Sequence, residues 1–312
     1  MLITGGAGFL GSHLVDRLID THEVVVLDDL STGSMDNLAV HVDNERFTFI
    51  EGRISSETVV KSAIEGVHTV YHFAAQPDVR LSTELPYWDF EVNVVGTMKL
   101  LEVMRKSDVN RVVFASSGGT VYGETEVVPT PESAAIRPIS NYGASKGAIE
   151  MYLSSYSTLY DITSISLRLA NIIGPRLTHG VIYDFYRNLK RDSTILEVLG
   201  NGEQEKSYLY VTDAIEAAVL LTRSRQSGFY PVNVASGKRL KVSRIAQIVI
   251  AELGLLDTRI EYAGGERGWP GDIARTNLDT SLLMSLGWQP RVSIDKAITR
   301  CVQWLVKKFG PI

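Results

Sequence analysis

Two residues spaced four apart could move a proton. Tyr142 and Lys146, within Tyr142-Gly143-Ala144-Ser145-Lys146, open a helical pattern that runs to about Tyr160. Spacing of i and i+4 puts both side chains on one helix face. A phenol with an ordinary pKa of about 10 is too weakly ionised to be a base near neutral pH. A neighbouring ammonium favours the phenolate and lowers that pKa. Upstream, Phe114-Ala115-Ser116-Ser117-Gly118-Gly119-Thr120-Val121-Tyr122-Gly123 ends an apolar run in two serines and a glycine turn. A hydroxyl there could orient a substrate hydroxyl and pass its proton to Tyr142. Each pattern also has a plain reading: two surface residues of a helix, and turn chemistry at a strand end.

A third pattern lies at the start of the chain. Thr4-Gly5-Gly6-Ala7-Gly8-Phe9-Leu10-Gly11 follows a short apolar run and opens a helix that continues to Asp20. Glycines at 5, 8 and 11 permit a tight turn and close approach of backbone to a pyrophosphate. The helix N-terminus then offers amide donors and positive dipole. A glycine turn without a ligand is the plain alternative. The next run, Val24-Val25-Val26-Leu27, ends in Asp28, 17 residues after Gly11. A carboxylate there accepts hydrogen bonds from the adenosine ribose and repels a 2′-phosphate, which favours NAD over NADP. A bound nicotinamide cation would add to the lowering of the Tyr142 pKa.

These residues need elements to hold them. The runs Leu2–Thr4, Val24–Asp28, Phe47–Glu51, Val67–Phe73, Arg111–Ser116 and Ser164–Leu169 alternate with helical patterns. Continuously apolar strands between helices predict a Rossmann-type α/β fold, a doubly wound parallel sheet covered on both faces. After Leu169 the rhythm changes. Residues 171–206 are rich in Gly, Pro and Arg, with one helix expected at Val181–Lys190. Further helices are expected at Ala214–Thr222, Val242–Leu253 and Ser293–Lys308, and a strand at Tyr230–Val234. The expected division is an NAD-binding domain over 1–170 that takes in about 211–234, and a smaller discontinuous α/β substrate lobe over 171–210 and 235–312.

Composition bounds the partners. The chain has 312 residues, 45% hydrophobic and 21% charged, with a formal net charge of −5. That is an ordinary globular composition with no polyanion-binding excess, so nucleic acid is not an expected partner. The single cysteine, Cys301, sits in an apolar run and reads as a small core residue. There is no basic-then-apolar leader and no apolar run of membrane length, so a cytoplasmic protein without membrane attachment is expected.

Together these motifs resemble the extended short-chain dehydrogenase/reductase family, and within it the NAD-dependent UDP-glucose (UDP-galactose) 4-epimerases, of archaeal type. The resemblance covers nearly the whole chain. It implies NAD contacts from Gly5, Gly8, Phe9, Leu10 and Gly11, and from the turn of Asp28, Asp29, Ser31, Thr32 and Gly33. His72-Phe73-Ala74-Ala75-Gln76 is similar to the strand end that runs along the cofactor, which implies contacts from Phe73, Ala74, Ala75 and Gln76. Ile54 would pack on adenine, Asn93 would support the nicotinamide side, and Ser116 would border the cofactor. Ser117, Tyr142 and Lys146 correspond to the catalytic triad, so Ser117 and Tyr142 also meet the substrate. Asn171 and Arg176 mark the entry to the nucleotide-sugar site. Lys206 stands where an arginine usually binds the diphosphate, with Tyr208 beside it. Arg267-Gly268-Trp269-Pro270-Gly271-Asp272 is similar to a clamp in which Arg267 meets phosphate and Asp272 meets ribose. A diphosphate of about two charges suits Arg176, Lys206 and Arg267. No metal is implied.

The resemblance also implies a homodimer through a four-helix bundle built from Pro86–Arg105 and Tyr142–Tyr160. Leu100, Leu101, Met104, Met151 and Leu153 would serve either there or in the core. Three positions depart from the family. The serine turn is one residue longer, so the catalytic hydroxyl is Ser117 with Ser116 and Thr120 as alternatives. Arg53 stands where an aspartate often bonds adenine. Thr276 falls near a gate that is bulky in some relatives, so N-acetylated sugars stay open as substrates. Gly118 and Gly119 replace the Asp-Glu pair that 4,6-dehydratases need, which argues against dehydration. UDP-N-acetylglucosamine or UDP-glucuronate epimerases, a decarboxylase, a reductase and a non-catalytic NAD sensor remain as rivals.

Overall fold

The central apolar runs become strands buried on both faces, as Leu2–Thr4, Val70–His72 and Thr163–Leu169 are throughout, while the edge run Phe47–Glu51 is half-buried or exposed. A computed structural model of the chain describes residues 1–224, 227–269 and 271–312. Residues 225 and 226, inside the 211–234 stretch, and Pro270, inside the clamp segment, lie outside the described residues. Twelve strands are described: β1 Leu2–Thr4, β2 Val24–Asp28, β3 Phe47–Glu51, β4 Val70–His72, β5 Arg111–Ser117, β6 Thr163–Leu169, β7 Asn171–Ile173, β8 Ile195–Val198, β9 Glu205–Tyr210, β10 Phe229–Val234, β11 Arg239–Lys241 and β12 Arg259–Tyr262.

Seven of them form one sheet in the order β10-β6-β5-β4-β1-β2-β3. β1 runs parallel to both β2 and β4, with Thr4 opposite Leu27 on one side and His72 on the other. The chain winds outward from β1 to β3, then restarts at β4 and winds the other way. The β1/β4 junction is therefore the topological switch point, where α/β sheets open a crevice at the carboxyl ends of their strands. The glycine loop leaves β1 there and Phe73 leaves β4 there.

Contacts divide the chain into two compact units. The first comprises Met1–Gly123, Ala135–Arg168 and Ile215–Val232; the second comprises Glu124–Ala134, Leu169–Ala214 and Asn233–Ile312. The boundary differs from the expected one at 124–134, which joins the second unit. Thr130 explains it: its amide donates to Asn277 O at 2.8 Å and its carbonyl accepts from Asn233 Nδ2 at 2.9 Å.

In the first unit the core gathers Leu2, Leu27, Val70, Phe114 and Ile149 around helix Gly96–Met104. Leu100, Leu101, Met104 and Leu153 are all fully buried in it. Of the five residues considered for a dimer face only Met151 is exposed, at 54%. Ile54, expected to pack on adenine, is buried in this cluster, and a Cβ on Gly96 would lie 2.9 Å from its Cδ1. The expected helix Pro86–Arg105 is three pieces, Pro86–Phe90, a π-helical turn Glu91–Val95, and Gly96–Met104. Such turns are frequent at functional sites, and this one carries Asn93.

The second unit packs helices Val181–Arg191, Val242–Glu252 and Ile294–Phe309 against one another. It holds two small sheets, β11-β9-β7 and β12-β8. Sequence reasoning found none of these five strands. They are short and polar or half-exposed: β9 reads Glu205-Lys206-Ser207-Tyr208-Leu209-Tyr210, and β12 exposes Arg259, Glu261 and Tyr262. Cys301 is buried in this unit. No helix among the described residues is long and apolar enough to cross a membrane.

Candidate active site

Tyr142 and Lys146 are set by one long helix. Ser140 caps Asn141–Tyr160, its Oγ accepting from Gly143 N at 3.1 Å. The cap fixes the first turn, where Tyr142 stands, and its amide donates to Ser82 Oγ at 3.1 Å. One turn on, Lys146 is 2% exposed and donates from Nζ to Ala115 O at 2.9 Å. The same Nζ lies 4.8 Å from the Phe114 ring centre and 5.4 Å from that of Tyr142. Burial pushes the Lys146 ammonium down to about 8, against the pull of Asp89. The Tyr142 phenol is held above its ordinary value, first by burial and then by Asp89. Sequence reasoning expected Lys146 to lower it; in the protein alone, desolvation and a carboxylate outweigh that effect.

The end of β5 sorts the three hydroxyls. Ser116 donates from Oγ to Glu150 Oε1 at 2.5 Å inside the core. Glu150 also accepts from Ser166 Oγ at 2.8 Å and from Arg168 through Nε and Nη2. The Arg168 Nη1 donates to Tyr122 Oη at 2.8 Å. Thr120 Oγ1 donates within the turn to Ser117 O at 3.5 Å. Ser117 is half-buried and its hydroxyl makes no hydrogen bond among the described residues. Of the three, Ser117 alone has a hydroxyl left over for a ligand.

The dinucleotide loop is drawn tight. Gly5 has φ of +69°, and a Cβ there would lie 2.6 Å from Ala74 N. A Cβ on Gly11 would lie 2.1 Å from Gly5 O, so only hydrogen fits. Helix Phe9–Leu18 begins at Gly8 with no side-chain cap and no acidic residue in its first turn. Its amides are thereby left to an anion. Asp28 is buried at the tip of β2, and its carboxylate accepts from Ala7 N at 2.9 Å and Leu30 N at 2.8 Å. Burial raises its pKa, and those two bonds oppose the rise. The loop and the acid therefore fit a dinucleotide held by phosphate and ribose. In the following turn Asp29 accepts from Ser31 N at 3.0 Å and meets Arg53 Nε at 3.2 Å. Thr32 is exposed, and a Cβ on Gly33 would lie 2.9 Å from Ala7 C.

Below the loop runs a chain of hydrogen bonds. Thr97 Oγ1 donates to Asn93 O at 2.5 Å, so it accepts from His72 Nε2 at 2.8 Å. His72 Nδ1 then accepts from Thr4 Oγ1 at 2.7 Å, which makes the ring neutral. Burial, then Lys146, hold His72 down to about 3. Asn93 is also buried: Oδ1 accepts from Gln76 N at 2.9 Å, and Nδ2 donates to Gln76 O at 3.2 Å and Asp89 Oδ1 at 3.0 Å. Sequence reasoning missed Asp89 and Glu150. Glu150 stands four residues after Lys146 on the face that must be buried, which was a readable signal.

The second unit gathers the other residues along β9. Asn171 pairs with Tyr208 across β7 and β9 and donates from Nδ2 to Ser207 O at 3.1 Å. Lys206 is ion-paired with Asp272, and its Nζ lies 5.0 Å from the Trp269 ring centre. Asp272 also accepts from Gly268 N at 3.0 Å. The expected separate contacts of Lys206 and Asp272 are thus joined here into one pair. Buried Tyr208 has its phenol raised by desolvation and by Asp272. Exposed Arg267 meets Glu124 at 2.5 Å. Arg176 takes a φ of +72°, a strained backbone for a long side chain and a mark of functional positions. Thr276 Oγ1 accepts from Ser207 N at 3.4 Å.

The sheet order, glycine loop, acid-tipped β2 and Tyr/Lys helix define a dinucleotide-binding enzyme of the short-chain dehydrogenase class. The chain belongs to the NAD dependent epimerase/dehydratase family, which residues 1–235 match. It is 37% identical over 312 residues to the putative UDP-glucose 4-epimerase of Methanocaldococcus jannaschii, covering 98% of each chain. Among solved structures, the UDP-glucose 4-epimerase of Thermotoga maritima with UDP-glucose superposes at a TM-score of 0.90, 32% identity and 99% coverage of both chains. The Thermus thermophilus UDP-glucose 4-epimerase complex with NAD gives 0.86 at 36% identity and 97% coverage of both.

Proposed function

We propose that the protein is an NAD-dependent epimerase that inverts C4 of a UDP-hexose, interconverting UDP-glucose and UDP-galactose. The observation that carries this is the Tyr142/Lys146 pair beside a free Ser117 hydroxyl, followed by Gly118 and Gly119. NAD, when bound, accepts a hydride and gives it back, so the reaction needs no net oxidant. Gly5, Gly8 and Gly11 cradle its phosphates and Asp28 its adenosine ribose. Tyr142, as phenolate, takes the proton of the sugar 4-hydroxyl, which Ser117 orients. Lys146 holds positive charge beside the phenolate, and a bound nicotinamide cation adds to it. Arg176, Lys206 and Arg267 hold the diphosphate, with Asn171, Tyr208 and Asp272 on the nucleotide, while the 4-keto sugar turns over. Tyr142 then returns the proton.

Two relatives named as UDP-glucose 4-epimerases, one with UDP-glucose and one with NAD, support the reading. A 4,6-dehydratase would need an acid and a base where Gly118 and Gly119 stand, and a mere NAD sensor has no use for the Tyr142/Lys146 pair. The test is Tyr142→Phe, which keeps NAD and UDP-sugar binding and loses about 10²–10⁴ in turnover. Inversion at a near wild-type rate would overturn the assignment.

A homodimer belongs to the same reading. Tyr87, Trp88, Phe90, Met151, Tyr152 and Tyr160 are exposed apolar residues on the helices assigned to a four-helix bundle. Trp88→Glu is expected to yield monomers in sedimentation. Cys301 is buried, and its thiol is pushed up to about 12 by that burial. It needs no oxidising compartment, which supports a cytoplasmic location.

A further inference from the structure

Asp89 is a fully buried carboxylate that neither the glycine loop nor the catalytic triad accounts for. Leaving a carboxylate out of water is costly unless its oxygens are bonded and its charge is met. Here both oxygens are used. Oδ2 accepts from Ser145 Oγ at 2.6 Å; Oδ1 accepts from Asn93 Nδ2 at 3.0 Å and Gln76 Nε2 at 3.1 Å. Ser145 precedes Lys146 on the catalytic helix. Asn93 comes from the π-helical turn, assigned to the nicotinamide side, and Gln76 from the segment just after β4, assigned to run along the cofactor. Asp89 therefore ties the residues that handle the proton to those that border the cofactor.

We infer that Asp89 is a positioning residue for Tyr142 and Lys146, anchoring their helix through Ser145 to Asn93 and Gln76 and placing one negative charge beside the pair. The inference rests on the proposed acid/base role of Tyr142. Burial raises the Asp89 carboxyl, the Ser145 hydrogen bond, the Lys146 ammonium and the Asn93 and Gln76 bonds oppose that rise, and Asp89 acts in turn on Tyr142 and Lys146, with neutral His72 also facing Lys146. Asp89 favours the protonated form of both members of the pair. It keeps the Lys146 ammonium against desolvation, and it holds the proton on Tyr142 until a cation arrives. The same charge favours a cationic cofactor over a neutral one.

The test is a phenol titration of the NAD-loaded protein. Absorbance at the phenolate band is followed against pH, and subtracting the Tyr142→Phe trace isolates Tyr142. Repeating the subtraction with Asp89→Asn, with and without Tyr142→Phe, is expected to move the midpoint down by about one pH unit. An unmoved midpoint in a folded Asp89→Asn protein overturns the inference, while wild-type C4 inversion separately decides the proposed function. Should Asp89→Asn not fold, Ser145→Ala and Ser145→Thr decide. Loss of the hydroxyl is expected to lower kcat at least tenfold with KM within twofold, and Ser145→Thr is expected to restore it. A wild-type kcat for Ser145→Ala, or failed rescue by a folded Ser145→Thr, overturns it.

Discussion

Lys146 Nζ stands 5.4 Å from the centre of the Tyr142 ring and gives a hydrogen bond to the Ala115 carbonyl at 2.9 Å. The contact fixes the ammonium beneath the phenol at the carboxyl end of β5. It also sets a pH limit. The Lys146 ammonium is held down to about 8, so the amine loses its proton as pH rises through that value. Turnover is expected to fall on the alkaline side of about pH 8, well below the ordinary lysine value of about 10.4. A kcat profile that stays flat to pH 10 would contradict this.

The hydroxyls at the end of β5 are expected to separate by effect. Ser117→Ala lowers kcat by about 10²-fold with thermal stability kept. Ser116→Ala leaves buried Glu150 one bond short and costs about 1–3 kcal/mol of stability. Its kcat falls far less than that of Ser117→Ala. Thermal unfolding and initial rates, measured side by side, check both; the reverse pattern would make Ser116 the reacting group.

Gly11→Ala would put a methyl 2.1 Å from Gly5 O, a backbone atom that has nowhere to go. The loop must open, at about 1–3 kcal/mol. The purified variant is expected to carry little nucleotide by its absorbance ratio. Full NAD content would contradict the tight-loop account.

His72 is neutral in the fold and held down to about 3 by burial, from an ordinary value of 6.5. Below about pH 6.5 the unfolded chain takes up a proton that the folded one refuses, so this stability is whole above 6.5 and is lost as pH falls toward 3. Between about pH 6 and 4 the slope from this group is about 1.4 kcal/mol per pH unit. Denaturation midpoints of wild type and His72→Gln, compared across that range, should show the flatter curve for the variant.

Much of the first unit was legible because its strands are apolar runs bounded by glycine, and because the loop, Asp28 and the Tyr/Lys helix have fixed spacings. The second unit was not: β7, β11 and β12 leave most of their residues exposed or half-buried, β8 has only four residues, and β9 buries residues 207–210 as a mixed polar and aromatic run. Residues that act by long-range pairing stayed hidden as well. Asp89 meets Ser145 across 56 positions of sequence, and Ser116 meets Glu150 across 34. Nothing local marks Asp89, and Glu150 is marked only by its spacing from Lys146.

The most direct measurement incubates the purified protein with UDP-galactose, UDP-N-acetylgalactosamine and UDP-glucuronate, without added NAD, and follows the configuration at C4. The account predicts equilibrating UDP-galactose and UDP-glucose, with no change of mass and no NADH accumulating. Retained NAD with no inversion of any of the three sugars, or a product of altered mass, would contradict it.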